Sequence, residues 1–269
     1  MAAPEPLRGV GKTALGMAMV RAGESGRPDR LFDDPYAQAF MDAQPGSFTA
    51  EETAGASAGP GAAFARHAVV RTRFYDGYLA GATAAGCRQV VLLAAGLDTR
   101  AFRLTWPAGT RLFELDLPEV LDFKERVLTA RGARPGCQRA VVPVDLRDDW
   151  PGELVAAGLD PTAHTAWLAE GLLIYLTAGE ATRLLAGVSA LSAPDSRLSA
   201  EHGPGLSLPT RPALWKGGLG TGTAGWLGEH RWQVRLHERA RLAAAYGRPP
   251  AAPEPSSGGF LTAVRTGGD

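Results

Sequence analysis

The run QVVLLAAG, residues 89–96, is the feature that most narrows the fold. It is short, apolar throughout and closed by glycine, the pattern of a β-strand buried on both faces. A strand without a polar face needs cover on both sides, and the residues after it supply that cover. RLFELDL (111–117) reads as a second strand, and PEVLDFKERVLTARG as a helix with Pro118 in its first turn and Gly132 at its end. RAVVPVDL, ending near Leu146, is a third strand, and TAWLAEGLLIYL (165–176) a fourth, followed by the helix AGEATRLLAGVSALS. RLSAEH, WQVRLHER and GFLTAVRTG supply three more strands. Strands alternating with helices give an α/β fold with a mostly parallel sheet and helices on both faces.

The segment before this alternation reads as helical. TALGMAMVRAGE is rich in helix formers, RPDRLFDDPYAQAFM combines turn signals with a second short helix, and a third helix runs from about Phe64 to Ala85. Residues 43–62 between them read as a loop. The expected division is an N-terminal helical cap over residues 1–85 and a ligand-binding domain over 86–269. Residues 203–223, rich in glycine and proline, read as a mobile lid within that domain.

Bulk properties remove several functional classes. The chain has 269 residues, 28 basic and 28 acidic, so its formal net charge is zero. That offers no electrostatic case for nucleic acid or an anionic membrane as partner. Cys87 and Cys137 lack a CxxC partner or clustered histidines, so no metal site is expected. No apolar run approaches the roughly 20 residues that span a bilayer, and the N-terminus lacks the pattern of a signal peptide. Cytoplasm is the expected location, and a small molecule the expected partner.

Parallel α/β sheets bind ligands at the carboxyl ends of their strands. Strand one ends in Ala94-Ala95-Gly96-Leu97-Asp98-Thr99-Arg100, where Gly96 lets a ligand approach the backbone. Strand two ends at Asp116, 20 positions after Gly96, placed to accept ribose hydroxyls. Asp145 ends strand three, where its carboxylate can accept an adenine amine while the next amide, that of Leu146, meets a ring nitrogen. Glu170 stands inside an otherwise apolar run, so it needs an internal arginine or a cationic ligand group as partner. Together these describe a nucleoside with an amino-acid tail, as in S-adenosylmethionine (SAM). NAD fits less well, because the turn is not G-x-G-x-x-G and Asp98-Thr99-Arg100 is bulky for a pyrophosphate cradle.

The string RQVVLLAAGLDTRAFRLTWPAGTRLFELDLPEVLDFK, with VPVDLRDDWP and TAWLAEGLLIYL, resembles the leucine carboxyl methyltransferase-like family, in its actinobacterial branch of SAM-dependent methyltransferases. TALGMAMVRAGE, RPDRLFDDPYA, VVRTRFYDGYLA and GGFLTAVRTG extend the resemblance over nearly the whole chain. It implies a class I SAM-dependent methyltransferase fold: a Rossmann-like, seven-stranded, mostly parallel sheet whose last strand is antiparallel, with an N-terminal helical cap. It implies SAM as cofactor and S-adenosylhomocysteine (SAH) as product. It further implies that Arg71 contacts the SAM carboxylate, Gly96 and its neighbours pass along the methionine portion, and Asp116 binds ribose. Asp145 and Leu146 would hold adenine, and Glu170 the amino-acid end. Where the family usually has Gly-Ala-Gly, this chain has Ala94-Ala95-Gly96.

The expected reaction is O-methylation of a small-molecule carboxylate or hydroxyl. Protein carboxyl methylation and a non-methylating biosynthetic role are the alternatives. His202, after strand five, is the first choice for a general base, and His67, on the helix carrying Arg71, the second. Tyr75, Tyr175 and Trp215 are expected to line an apolar acceptor pocket, and Arg73 to hold an acceptor carboxylate. With no histidine–acid pair evident at the strand ends, an already anionic carboxylate is the favoured acceptor, with a flat pH profile.

Overall fold

The computed structural model describes residues 7–49, 59–203, 214–249 and 258–267. Its centre is a seven-stranded sheet: β1 Gln89–Leu93, β2 Arg111–Asp116, β3 Gln138–Pro143, β4 Thr165–Ala169, β5 Arg197–His202, β6 Trp232–Glu238 and β7 Gly259–Arg265. The order is β3-β2-β1-β4-β5-β7-β6. β1 to β5 pair in parallel, and β7 is antiparallel to both β5 and β6. This is the expected sheet with its antiparallel last strand.

β1 is buried along its whole length. Its side chains alternate between two cores. Val91 and Leu93 face one, with Trp167 of β4, Trp150 and Leu154 of the helix α6 (Trp150–Ala156), and Leu184 and Leu185 of α7 (Ala178–Ala190). Val90 and Leu92 face the other, with Val70, Phe74, Tyr75 and Leu79 of α3 (Gly59–Ala84). The apolar run in the sequence is thus explained by helices on both sides. α7 starts with a capping box, Thr177 and Glu180 each receiving the other's backbone N–H.

α1 (Val10–Ser25) and α2 (Ala37–Ala43) pack through Leu15, Ala18 and Phe40 against Phe123, Val127 and Leu128 of α5 (Pro118–Ala130) and against Leu97 in the turn after β1. The third helix starts at Gly59, earlier than the sequence pattern shows. Arg21 of α1 donates to Asp34 at 2.7 Å and to the carbonyl of Leu97 at 2.6 Å, tying the N-terminal helices to that turn. Residues 50–58, in the expected 43–62 loop, and 204–213, in the expected lid, lie outside the described residues.

Two strands end sooner than their sequences suggest. β3 stops at Pro143, leaving Asp145 and Leu146 in the following loop. The run 165–176 is not one strand: β4 stops at Ala169, Gly171 turns with φ +63°, and Leu173–Tyr175 form a 3₁₀ turn. Glu170 therefore stands just past a strand end instead of within one. The described part of the 203–223 segment is tethered. The amides of Lys216 and Gly217 donate to the carbonyl of Ile174 at 2.8 and 2.9 Å, and that of Gly218 to the carbonyl of Leu176 at 2.8 Å. A Cβ on Gly218 would stand 2.4 Å from the carbonyl oxygen of Leu173, so only glycine fits there. Cys87 and Cys137 are free thiols. Among the described residues no helix is long and apolar enough to cross a membrane.

Candidate active site

A cavity of about 990 Å³ opens at the carboxyl ends of β1 to β5. The turn after β1 forms part of its floor. Ala94 and Gly96 both adopt left-handed backbone, φ +54° and +50°. The turn is held by Asp116, whose Oδ2 accepts the amide of Gly96 at 2.6 Å while Oδ1 accepts that of Leu117 at 2.7 Å. Burial pushes the Asp116 carboxyl above its usual range, and these two amides pull against that rise. Each oxygen keeps a lone pair for a further donor.

An ionic cluster lies beside that turn. Arg71 of α3 donates from Nε to Glu170 at 2.9 Å, from Nη1 to Glu201 at 3.1 Å and from Nη2 to Met17 Sδ at 3.3 Å. Glu170 also accepts from Arg100 at 2.7 Å, and Arg100 reaches Asp98 and, at 2.7 Å, Asp76. Arg103 grips both oxygens of Asp76 at 2.7 Å. Glu201 accepts the amide of Gly171 at 2.7 Å. Burial pulls the Arg71 guanidinium down, but Glu170 and Glu201 outweigh it and raise its pKa overall. Burial alone would raise the Asp98 carboxyl. Arg100, Lys124 and Arg103 overcome this and hold it at about 2.

Arg71, Ala94, Gly96, Asp116, Asp145, Leu146 and Glu170 all line the one cavity, as do Tyr175 and Trp215. Asp145 is held by Arg147 through Nε at 2.9 Å and through the Arg147 amide at 2.9 Å, which keeps its carboxyl below the usual range. Arg73, Tyr75 and His202 are not among the lining residues. Tyr75 is fully buried between Phe74 and Phe260, with ring centroids at 5.4 Å from each. Arg73 stacks over Tyr246, 5.5 Å from the ring centroid. His202 is partly buried, which lowers its pKa, and it precedes Gly203 at the rim.

A model of the leucine carboxyl methyltransferase family matches residues 14–189. The chain belongs to the leucine carboxyl methyltransferase family. Among its relatives, a Frankia alni protein named "Putative S-adenosyl-L-methionine-dependent methyltransferase" is 52% identical over 275 residues, covering 96% of this chain and 95% of the relative. A Streptomyces avermitilis protein carrying the same description is 44% identical over 276 residues, 96% of each. In fold the chain is similar to a crystal structure described as that of a "putative methyltransferase" from Thermobifida fusca. The TM-score is 0.58 at 18% identity, over 93% of this chain and 94% of that one. It is also similar to the SAH-bound magnesium protoporphyrin IX methyltransferase of Synechocystis, with a TM-score of 0.52 at 14% identity, over 86% and 93% of the two chains.

Within this family chain, the sequence reading missed Glu201, Asp98 and Arg100. Glu201 had the same signal as Asp116, an acid closing a parallel strand. It follows the family-matched region, which stops before β5. From the sequence alone Asp98 and Arg100 stand only as bulk in the turn. They are the ionic link between that turn and Glu170.

Proposed function

We propose that this methyltransferase moves the methyl group of SAM onto an oxygen of a small molecule. The observation that carries the reading is the convergence of Gly96, Asp116, Asp145 and Glu170 from four strand ends on one cavity. SAM is the cofactor, and the residues suit it. Gly96 with φ +50° brings backbone close to the ligand, and a Cβ there would stand 3.3 Å from Ala14. Asp116 has acceptor capacity for ribose hydroxyls, and Arg71 uses three of its five N–H groups, leaving two for a carboxylate. Arg71, Arg100 and Arg103 face four carboxylates, Asp76, Asp98, Glu170 and Glu201. Bound SAM supplies a methyl group on a sulfonium, which needs no further activation. The protein's part is to hold and align the acceptor and exclude water.

The cavity is at the upper end of the range for small-molecule sites, roughly 300–1,000 Å³, which allows a cofactor and a small acceptor together. Thr13, Ala14 and Met17 of α1 and Phe64 and His67 of α3 contribute one wall. This supports reading residues 1–85 as a cap on a transferase unit of 86–269, although the later turns of α3 pack on the sheet itself.

A hydroxyl acceptor is favoured over the carboxylate that the sequence suggested. Arg21, Arg71, Arg100, Arg103, Arg147 and Lys216 are the cations lining the cavity among the described residues; each already pairs with a carboxylate, and the N–H groups that Arg71 has left go to the carboxylate of SAM in this reading. Arg73, the expected carboxylate holder, lies outside the lining. Incubation with methyl-labelled SAM and a whole-cell extract, separated afterwards by dialysis into small molecules and protein, tests the reading. Label is expected in small molecules as a methyl ether that survives mild base. Label confined to protein, or lost as methanol in base, would instead support carboxyl methylation.

A further inference from the structure

Of the two histidines that the sequence put forward, only His67 lines the cavity. It lies one turn before Arg71 on α3 and stacks on Phe260 of β7, ring centroids 5.8 Å apart and planes within 14°. Phe260 pairs in register with Glu201, so the imidazole sits over the β5 end of the site, next to the rim formed by Gly203. Its Nδ1 is buried with no hydrogen-bond partner among the described residues. Among the described residues no carboxylate is bonded to the ring to hold a proton on it. Burial lowers the pKa well below the ordinary value, and the charges of Arg71 from α3 and Arg239 from α9 (Arg239–Ala245) lower it further.

We propose that His67 is the catalytic base of the acceptor side, taking the proton of the acceptor hydroxyl as that oxygen is methylated. The proposal rests on the oxygen-acceptor reading above. In the step, the acceptor oxygen–carbon bond forms as the carbon–sulfur bond of SAM breaks, and that electron pair stays on sulfur. The hydroxyl proton passes to the unprotonated imidazole nitrogen and then to solvent. A base must be neutral before the reaction, and the two nearby guanidiniums keep His67 so. The same charges lower the basicity of the ring, so a proton it accepts is passed on readily to solvent.

The test needs no known acceptor. Full-length protein saturated with SAH, with occupancy checked by calorimetry, is treated with diethyl pyrocarbonate between pH 5.5 and 7.5. Modification of His67 is followed by peptide mass. SAH fills the cofactor side and leaves the acceptor side open. His67 is expected to react, and its rate to change less than about 2-fold over that range. In urea-unfolded protein the same peptide should slow about 10-fold towards pH 5.5, because an ordinary imidazole titrates near about 6.5. An SAH-bound protein in which His67 stays unmodified, or slows 10-fold like the unfolded peptide, overturns the role of His67 alone. Failure of SAH to bind overturns the methyltransferase reading beneath it.

Discussion

Asp116 Oδ2 accepts the amide of Gly96 at 2.6 Å, so the carboxylate that ends β2 also shapes the turn that ends β1. Ligand recognition and local structure share one side chain. Asp116→Ala should weaken SAM by about 10-fold or more, since hydrogen bonds to a charged acceptor contribute roughly 1.5–3 kcal/mol. It should also destabilise the fold by about 1–3 kcal/mol, because two turn amides lose their partner. Calorimetry and thermal unfolding on one preparation check both effects. A variant that binds SAM normally would refute the ribose role.

Ala94 carries φ +54°, a conformation in which a Cβ crowds the following carbonyl. Ala94→Gly should therefore raise stability by about 0.5–1 kcal/mol, the relief of strain exceeding the added chain entropy of glycine. Urea unfolding measures it. A lower midpoint with an unchanged slope would show that the turn holds no such strain.

Glu170 joins Arg71 to Arg100, whose side chains are 11% and 3% exposed. Glu170→Gln removes the shared charge and leaves two buried guanidiniums short of a partner. Breaking such a pair is expected to cost about 3 kcal/mol. The loss should persist in high salt, since buried pairs are weakly screened. A change within about 0.5 kcal/mol would mean that Glu201, Asp98 and Asp76 suffice to hold the cluster.

The His67 pKa is lowered in the folded state, so the unfolded chain binds more protons below about pH 6.5. Stability contributed by the neutral ring is full above that pH. It falls as pH drops below it, by up to about 1.4 kcal/mol per pH unit for one proton. His202 and His237 shift the same way, so the difference between wild type and His67→Gln isolates the contribution of His67. Parallel stability curves for the two proteins from pH 5 to 7 would contradict the assignment. With an acceptor in hand, His67→Gln should lower kcat by roughly 10²–10⁴-fold, and the larger loss should fall there and not on His202→Gln.

The parallel strands and most helices were legible because burial on two faces leaves an unmistakable apolar run, as in Val90 to Leu93. Asp116 stood out for the same reason, as a carboxylate closing such a run, but Glu201 closes β5 in the same way and was missed. What else escaped depended on distant pairing. Glu170 followed by Gly171 looked like the middle of a strand, because the left-handed turn at Gly171 is stabilised by Glu201, 30 residues away. Tyr75 and His67 are two turns apart on α3, yet one enters the core and the other the cavity. Their spacing does not reveal which face of α3 meets the sheet; the packing of Phe74 and Tyr75 on Phe260 decides it.

Calorimetric titration of the wild-type protein with SAM, SAH, NAD and NADP decides whether the cavity is built for SAM. SAM and SAH are expected to bind one per chain, and both dinucleotides to give no heat of binding. Binding of NAD without binding of SAM would contradict the SAM assignment.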